Sequence, residues 1–196
     1  MAVLTQTEAG GGNGVRVTGQ TDWATAKSQT TGSTTNFVVD NTKVSANNFQ
    51  LSRGFFWFNT ASLGQGATIS AAVFRHPAIT NNTNDEAITV HVVGHTGTET
   101  TIATGDFDLI GTTSYGSVLM SGLSTSVTTD ISLNATGLAA INKGGNTAIG
   151  LIGSLDKDNT TPTGINQYTI TPTDPVLEVT YTPASGGQET VAFFIG

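Results

Sequence analysis

The chain has no cysteine in its 196 residues. That removes disulfide staples and thiolate metal ligands together. Charge is also scarce, at 11% of residues, with 7 Lys and Arg against 14 Asp and Glu and a net charge of -7. At a pI near 4.6 no basic patch can be assembled to follow a phosphate backbone, which excludes nucleic acid as a partner. The three histidines, His76, His91 and His95, are the only side chains that ordinarily titrate near neutrality, so acid–base chemistry has few candidates. No apolar run has the length of a membrane-spanning helix. No basic residue precedes Arg16 and no long apolar stretch follows Met1, so no secretory signal is read there. On that basis the expected location is a virion, released by lysis, with the extracellular space or a cell surface as the alternative.

What is present is Thr, Ser, Asn and Gly, punctuating short apolar runs. The runs read as strands. They are Asn36–Asp40, Ser52–Asn59, Thr68–Arg75, Ala87–Val93, Val127–Leu133, Thr147–Ile152 and Val176–Tyr181. Val176–Tyr181 alternates, with Leu177, Val179 and Tyr181 opposite Val176, Glu178 and Thr180. Ser52–Asn59 does not alternate: Phe55, Phe56, Trp57 and Phe58 are consecutive, so either both faces are covered or the strand twists at a bulge. Turn signals such as Gly64–Gly66, Gly94–Gly97 and Asp156–Gly164 separate the runs. Asn134–Lys143 alone reads as helical, with Asn134 as N-cap and Gly144 as stop. The expected fold is all-β: an antiparallel β-sandwich of jelly-roll type with one short helical turn and extended terminal arms.

Three parts follow. Residues 1–35 read as an N-terminal arm hinged at Gly10–Gly14, or in part as an edge strand; residues 36–183 form the sandwich; residues 184–196 are a linker and an apolar strand. That last strand, ETVAFFIG, either closes its own sheet or is given to a neighbour, and donation is the expectation. Val3 and Leu4 at one end, and Val191, Phe193, Phe194 and Ile195 at the other, are then the assembly residues. The partners are copies of the same chain or other particle subunits.

Three segments resemble a family of bacterial and phage β-sandwich domains related to carbohydrate-binding modules. They are SRGFFWFNTASLGQGATISAAVFR (Ser52 to Arg75), LNATGLAAIN (Leu133 to Asn142) and VLEVTYTP (Val176 to Pro183). The resemblance implies a jelly-roll-like sandwich of two antiparallel sheets. Such domains belong to secreted surface or polysaccharide-degrading proteins and, in some cases, to phage structural proteins.

Few residues invite chemistry. No catalytic or metal-binding set is assigned, and no cofactor is expected. Asp156–Asn159 and Asn84–Glu86 are the only loops with the oxygen spacing for calcium, although Asx residues close turns for their own reasons. Asp106 and Asp108 would share a face if GDFDL is extended. Ser114 has no His–Asp partners readable from sequence. A sugar platform needs exposed aromatics. Trp57 is assigned to the core, which leaves Trp23 and Tyr168 as glycan-facing candidates for a surface polysaccharide. The function expected is a non-enzymatic structural protein of a self-assembling particle or fibre, a phage decoration, capsid or tail protein; the alternative is a carbohydrate-binding module.

Overall fold

A computed structural model describes residues 1–8, 14–97, 101–170 and 174–184. The fold is all-β and sandwich-like, built from two antiparallel sheets. In chain order the strands are β1 (Ala2–Thr7), β2 (Gly14–Gln20), β3 (Ser33–Thr35), β4 (Phe37–Ser45), β5 (Asn48–Asn59), β6 (Thr68–His76), β7 (Ile79–Asn84), β8 (Thr89–Gly94), β9 (Gly116–Leu119), β10 (Thr129–Ser132), β11 (Asn146–Gly153), β12 (Asn166–Ile170) and β13 (Val176–Thr182). The smaller sheet runs β1-β13-β6-β10. The larger runs β7-β12-β4-β5-β11-β8-β9, with β2 paired to β5 and β3 to β2.

The main core lies between the sheets. From the smaller sheet come Phe74, Ile131, Leu177 and Val179; from the larger come Phe56, Phe58, Val90, Val92, Ile149 and Leu151. The period-2 pattern decides which residues these are. In β13, Leu177 and Val179 point inward while Glu178 and Thr180 stay at the surface.

β5 is buried on both faces. Its even residues Phe56 and Phe58 enter the main core, and its odd residues Phe49, Leu51, Phe55 and Trp57 enter a second core. The two-sided reading of the non-alternating run is therefore the right one. The second core is roofed by three short elements. α1 (Trp23–Lys27) supplies Trp23 and Ala26, the 3-10 turn Thr104–Leu109 supplies Phe107, and α3 (Ser154–Lys157) supplies Leu155. Asp22 starts α1, its carboxylate accepting the Thr25 N–H at 2.7 Å.

Helical structure exceeds the single turn expected. α2 (Ala135–Ala140) is the predicted one, capped by Asn134, which accepts the Gly137 N–H at 3.0 Å. It ends at Ile141, in extended geometry, and not at Gly144. GDFDL is not extended: it is the 3-10 turn, so Asp106 and Asp108 do not share a strand face.

The N-terminal residues take the edge-strand alternative. β1 pairs with β13 from Ala2↔Tyr181 to Thr7↔Val176 and forms one edge of the smaller sheet, while β2 joins the larger one. Residues 185–196 lie outside the described residues, and with them Val191, Phe193, Phe194 and Ile195.

Two-sided burial of β5 has a measurable consequence. Phe56→Ala and Trp57→Ala point to opposite cores and should each cost about 3–5 kcal/mol in urea unfolding. A near-neutral Trp57→Ala would show that the outer face of β5 is not a core.

Candidate functional site

The charged residues are the first place to look, because the chain has so few. Arg53 sits on the odd face of β5, inside the second core. Its Nε and Nη2 donate to the two carboxylate oxygens of Asp156 at 2.8 and 2.9 Å. Nη1 donates to the Phe107 carbonyl at 2.8 Å, and the guanidinium stacks 4.3 Å from the Phe107 ring. Lys27 of α1 adds a second cation, 3.6 Å from Asp156. Asp156, a calcium candidate by sequence, is thus a buried counter-ion.

Arg16 of β2 makes a second such centre. It lies 2.5 Å from Asp40, bonds Gln50 and Gln167, and stacks on Phe37. Burial raises the Asp40 pKa, and the Arg16 charge opposes that shift.

In the other calcium candidate loop, Asp85 and Glu86 are also engaged in holding loops. Glu86 accepts from the Thr163 N–H and hydroxyl, the Gly164 N–H and the Asn166 amide. Asp85 accepts from Ile165 N–H at 2.8 Å. These bonds tie the β7–β8 loop to the segment before β12. Among the described residues no cluster of three His, Asp or Glu side chains is arranged to hold a metal.

The histidines divide by burial. His76 is sealed in the main core: Nδ1–H donates to the Pro77 carbonyl at 2.7 Å, which leaves Nε2 to accept the Tyr168 hydroxyl at 2.9 Å. Burial pushes its pKa down to about 4 and raises that of Tyr168. His91 Nδ1 is 3.0 Å from Ser114 Oγ. The Ser114 proton goes to the Gly116 carbonyl at 3.2 Å, so His91 donates and Ser114 accepts. That polarity is the reverse of a base activating a nucleophile. His95 is wedged edge-on against Phe55 and Trp57, with Nε2 3.2 Å from the Phe56 carbonyl.

Both glycan-facing candidates are corrected. Trp23 is 3% exposed and packs under α1 against Phe49; Tyr168 is fully buried on His76. Neither presents a ring face to solvent, so neither can stack on a pyranose. Of the assembly residues at the N-terminus, Val3 is 60% exposed and Leu4 packs on the main core.

One concave feature was not foreseen from the sequence. A cleft of about 590 Å³ opens where β8 ends, lined by Gly94–Thr96, Asp108–Gly111, Tyr115, Ala140, Asn146 and Ala148. Tyr115 in its wall packs closely against two glycines. A Cβ at Gly94 would lie 2.5 Å from the Tyr115 hydroxyl, and one at Gly137 would lie 2.8 Å from Tyr115 Cβ. Gly111 N–H donates to the Gly94 carbonyl at 2.8 Å and holds the far wall. No protein-family model and no curated protein matches the chain.

Two measurements test this reading. His76 should titrate near pH 4 by NMR, against 6.5 for an ordinary histidine. Because its folded pKa is depressed, its contribution to stability is full above 6.5 and is lost as pH falls toward 4, a change of about 3 kcal/mol. A His76 that titrates near 6.5 overturns the buried pair. Separately, Arg53→Met should cost about 3–5 kcal/mol by stranding Asp156, and adding Asp156→Leu should restore much of the loss. Simple additivity of the two changes would show that the pair is not coupled.

Proposed function

We propose that this chain is a non-enzymatic structural subunit of a self-assembling particle or fibre, and within that class a phage virion protein with a decoration, capsid or tail role. The observation that carries the reading is where the positive charge goes. All seven cations are engaged within the chain: Arg16 with Asp40, Lys27 and Arg53 with Asp156, Arg75 with Glu178 and Asp130, Lys157 with Asp158, Lys143 with the Ala67 carbonyl, and Lys43 over the Phe49 ring. The histidines are likewise held within the fold. Titratable groups here act as building material. The surface is left to hydroxyls, amides and surplus acid, with little charge to oppose close packing of subunits.

An open sheet edge supports the same reading. β1 ends the smaller sheet, and its outer side has no strand partner among the described residues. Such an edge is a template for a strand from another chain. The apolar segment Glu189–Ile195 is the strand we propose to be donated between subunits. One such contact is weak, because ordering the segment costs about as much as burying it returns. Repetition around a ring or along a fibre makes it sufficient. The virion assignment in particular rests on the resemblance to sandwich domains that include phage structural proteins.

The test is truncation. Deleting Gly186–Gly196 should leave the thermal melt of the sandwich unchanged and abolish assembly in light scattering and electron microscopy. A full-length chain that stays monomeric and binds no particle overturns the proposal, as does a truncated chain that fails to fold.

A further inference from the structure

We infer that the groove between the start of β6 and α2 is a resting seat for this chain's own apolar C-terminal segment, with the Phe193 side chain in the groove and Glu189 beside Lys143. The seat belongs to the single subunit and so goes beyond the assembly reading. Only its role in holding the segment back from a neighbour rests on that reading.

The groove has a volume of about 300 Å³ and is lined by Ala67, Thr68, Ile69, Leu138, Ala139 and Lys143. Ile69 of β6 and Leu138 of α2 pack against the margin of the main core and are only partly buried. An apolar side chain laid between them extends that core outward. The space is at the low end of the ~300–1,000 Å³ usual for ligand sites, which suits one large side chain better than a whole strand.

The described chain ends at this groove. Thr182, the last residue of β13, pairs with Thr68. Ala184 lies against Gly66, where an added Cβ would come within 2.6 Å of the alanine Cβ. Residues 185–190 read SGGQET and contain no apolar side chain; the apolar residues begin at Val191. A coil from Ala184 to Phe193 would span roughly 15–18 Å on average. That tether presents Phe193 to the groove at an effective concentration of about millimolar, well above that of a second chain in dilute solution.

Charge points the same way. Lys143 is the only charged residue in the lining. Its ammonium donates to the Ala67 carbonyl at 2.7 Å and has no carboxylate partner among the described residues. Residues 185–196 carry a single charged side chain, Glu189. A groove with one cation and a segment with one anion are complementary at short range. The contact is marginal, because ordering the segment offsets most of the burial. A seat that has to release its occupant needs that balance, and it adds too little to move the melt of the sandwich.

The test uses the full-length chain with Phe193→benzoylphenylalanine, irradiated at micromolar concentration and mapped by mass spectrometry. Crosslinks should form within one chain, at Ile69, Leu138 or Ala139. Ala139→Glu, at an exposed helix position, should lower their yield about tenfold by filling the groove and setting a carboxylate against Glu189. Glu189→Lys leaves the sandwich untouched and should also lower the yield, and adding Lys143→Glu should restore it. Crosslinks scattered over the surface, crosslinks found only between chains, or a yield indifferent to Glu189→Lys overturn the inference. In light scattering, Ala139→Glu should shorten the lag before assembly; an unchanged lag overturns the holding role. A chain that gives the groove crosslink and never assembles sinks the assembly reading and leaves the seat standing. One that assembles without the crosslink sinks the seat alone.

Discussion

The structure depends on β5 being buried on both faces. A strand in an antiparallel sandwich usually gives one face to the core and one to water. Here the outer face carries Phe49, Leu51, Phe55 and Trp57, and it must be roofed. Position 53 lies on that same face, so the roof has to receive an arginine. The solution is Asp156, delivered by α3, with the Phe107 carbonyl taking a further guanidinium N–H and Lys27 of α1 reaching the same carboxylate. One buried cation thereby joins three roof elements, α1, the 3-10 turn and α3. Each is far too short to be stable as an isolated helix. Their order comes from apolar burial over β5 and from this shared ion pair, which is costly to break because the partner would remain buried and charged.

The same constraint explains which parts of the fold were legible in the sequence. Strands whose residues alternate strictly, or are apolar throughout, announce themselves: β5, β6, β8, β11 and β13 all fall close to the predicted runs. β7 and β12 do not. ITNNTN and NQYTI are polar strands, paired to each other at the sheet edge, and composition alone assigns such stretches to loops. β1 and β2 were obscured by the glycine run between them, which looks like a hinge whether or not its flanks are strands. The condition set for GDFDL, an extended backbone, is not met because Asp106 folds back, its carboxylate accepting the Ala103 N–H at 2.8 Å and closing a turn that alternation cannot foresee.

Exposure was harder to read than secondary structure. Trp23 and Tyr168 have polar neighbours in sequence, and from that their rings look free. Burial is set by what comes from elsewhere in the chain. Trp23 is covered because α1 lies on β5, and Tyr168 because His76 from the other sheet reaches its hydroxyl. The His76–Tyr168 bond also shows why a lone histidine in a strand is a poor pointer to catalysis. With both nitrogens satisfied and its pKa held down by burial, the imidazole stays neutral and cross-links the two sheets. The cleft was invisible for the same reason, since its walls are contributed by stretches as far apart as Gly94 and Ala148.

Scarce charge links these observations. In a protein with many cations, some remain at the surface and give long-range attraction to anionic partners. Here every Lys and Arg side chain already has a partner within the chain, so long-range attraction of an anionic partner is weak. Pairing of a donated strand along the open edge of β1 would depend instead on backbone hydrogen bonds and apolar contact, which are nearly insensitive to ionic strength. That edge belongs to the smaller sheet, whereas the cleft is walled by β8, β11 and the loops that leave them in the larger one. An assembly contact made at β1 would therefore use a different sheet from the one that shapes the cleft.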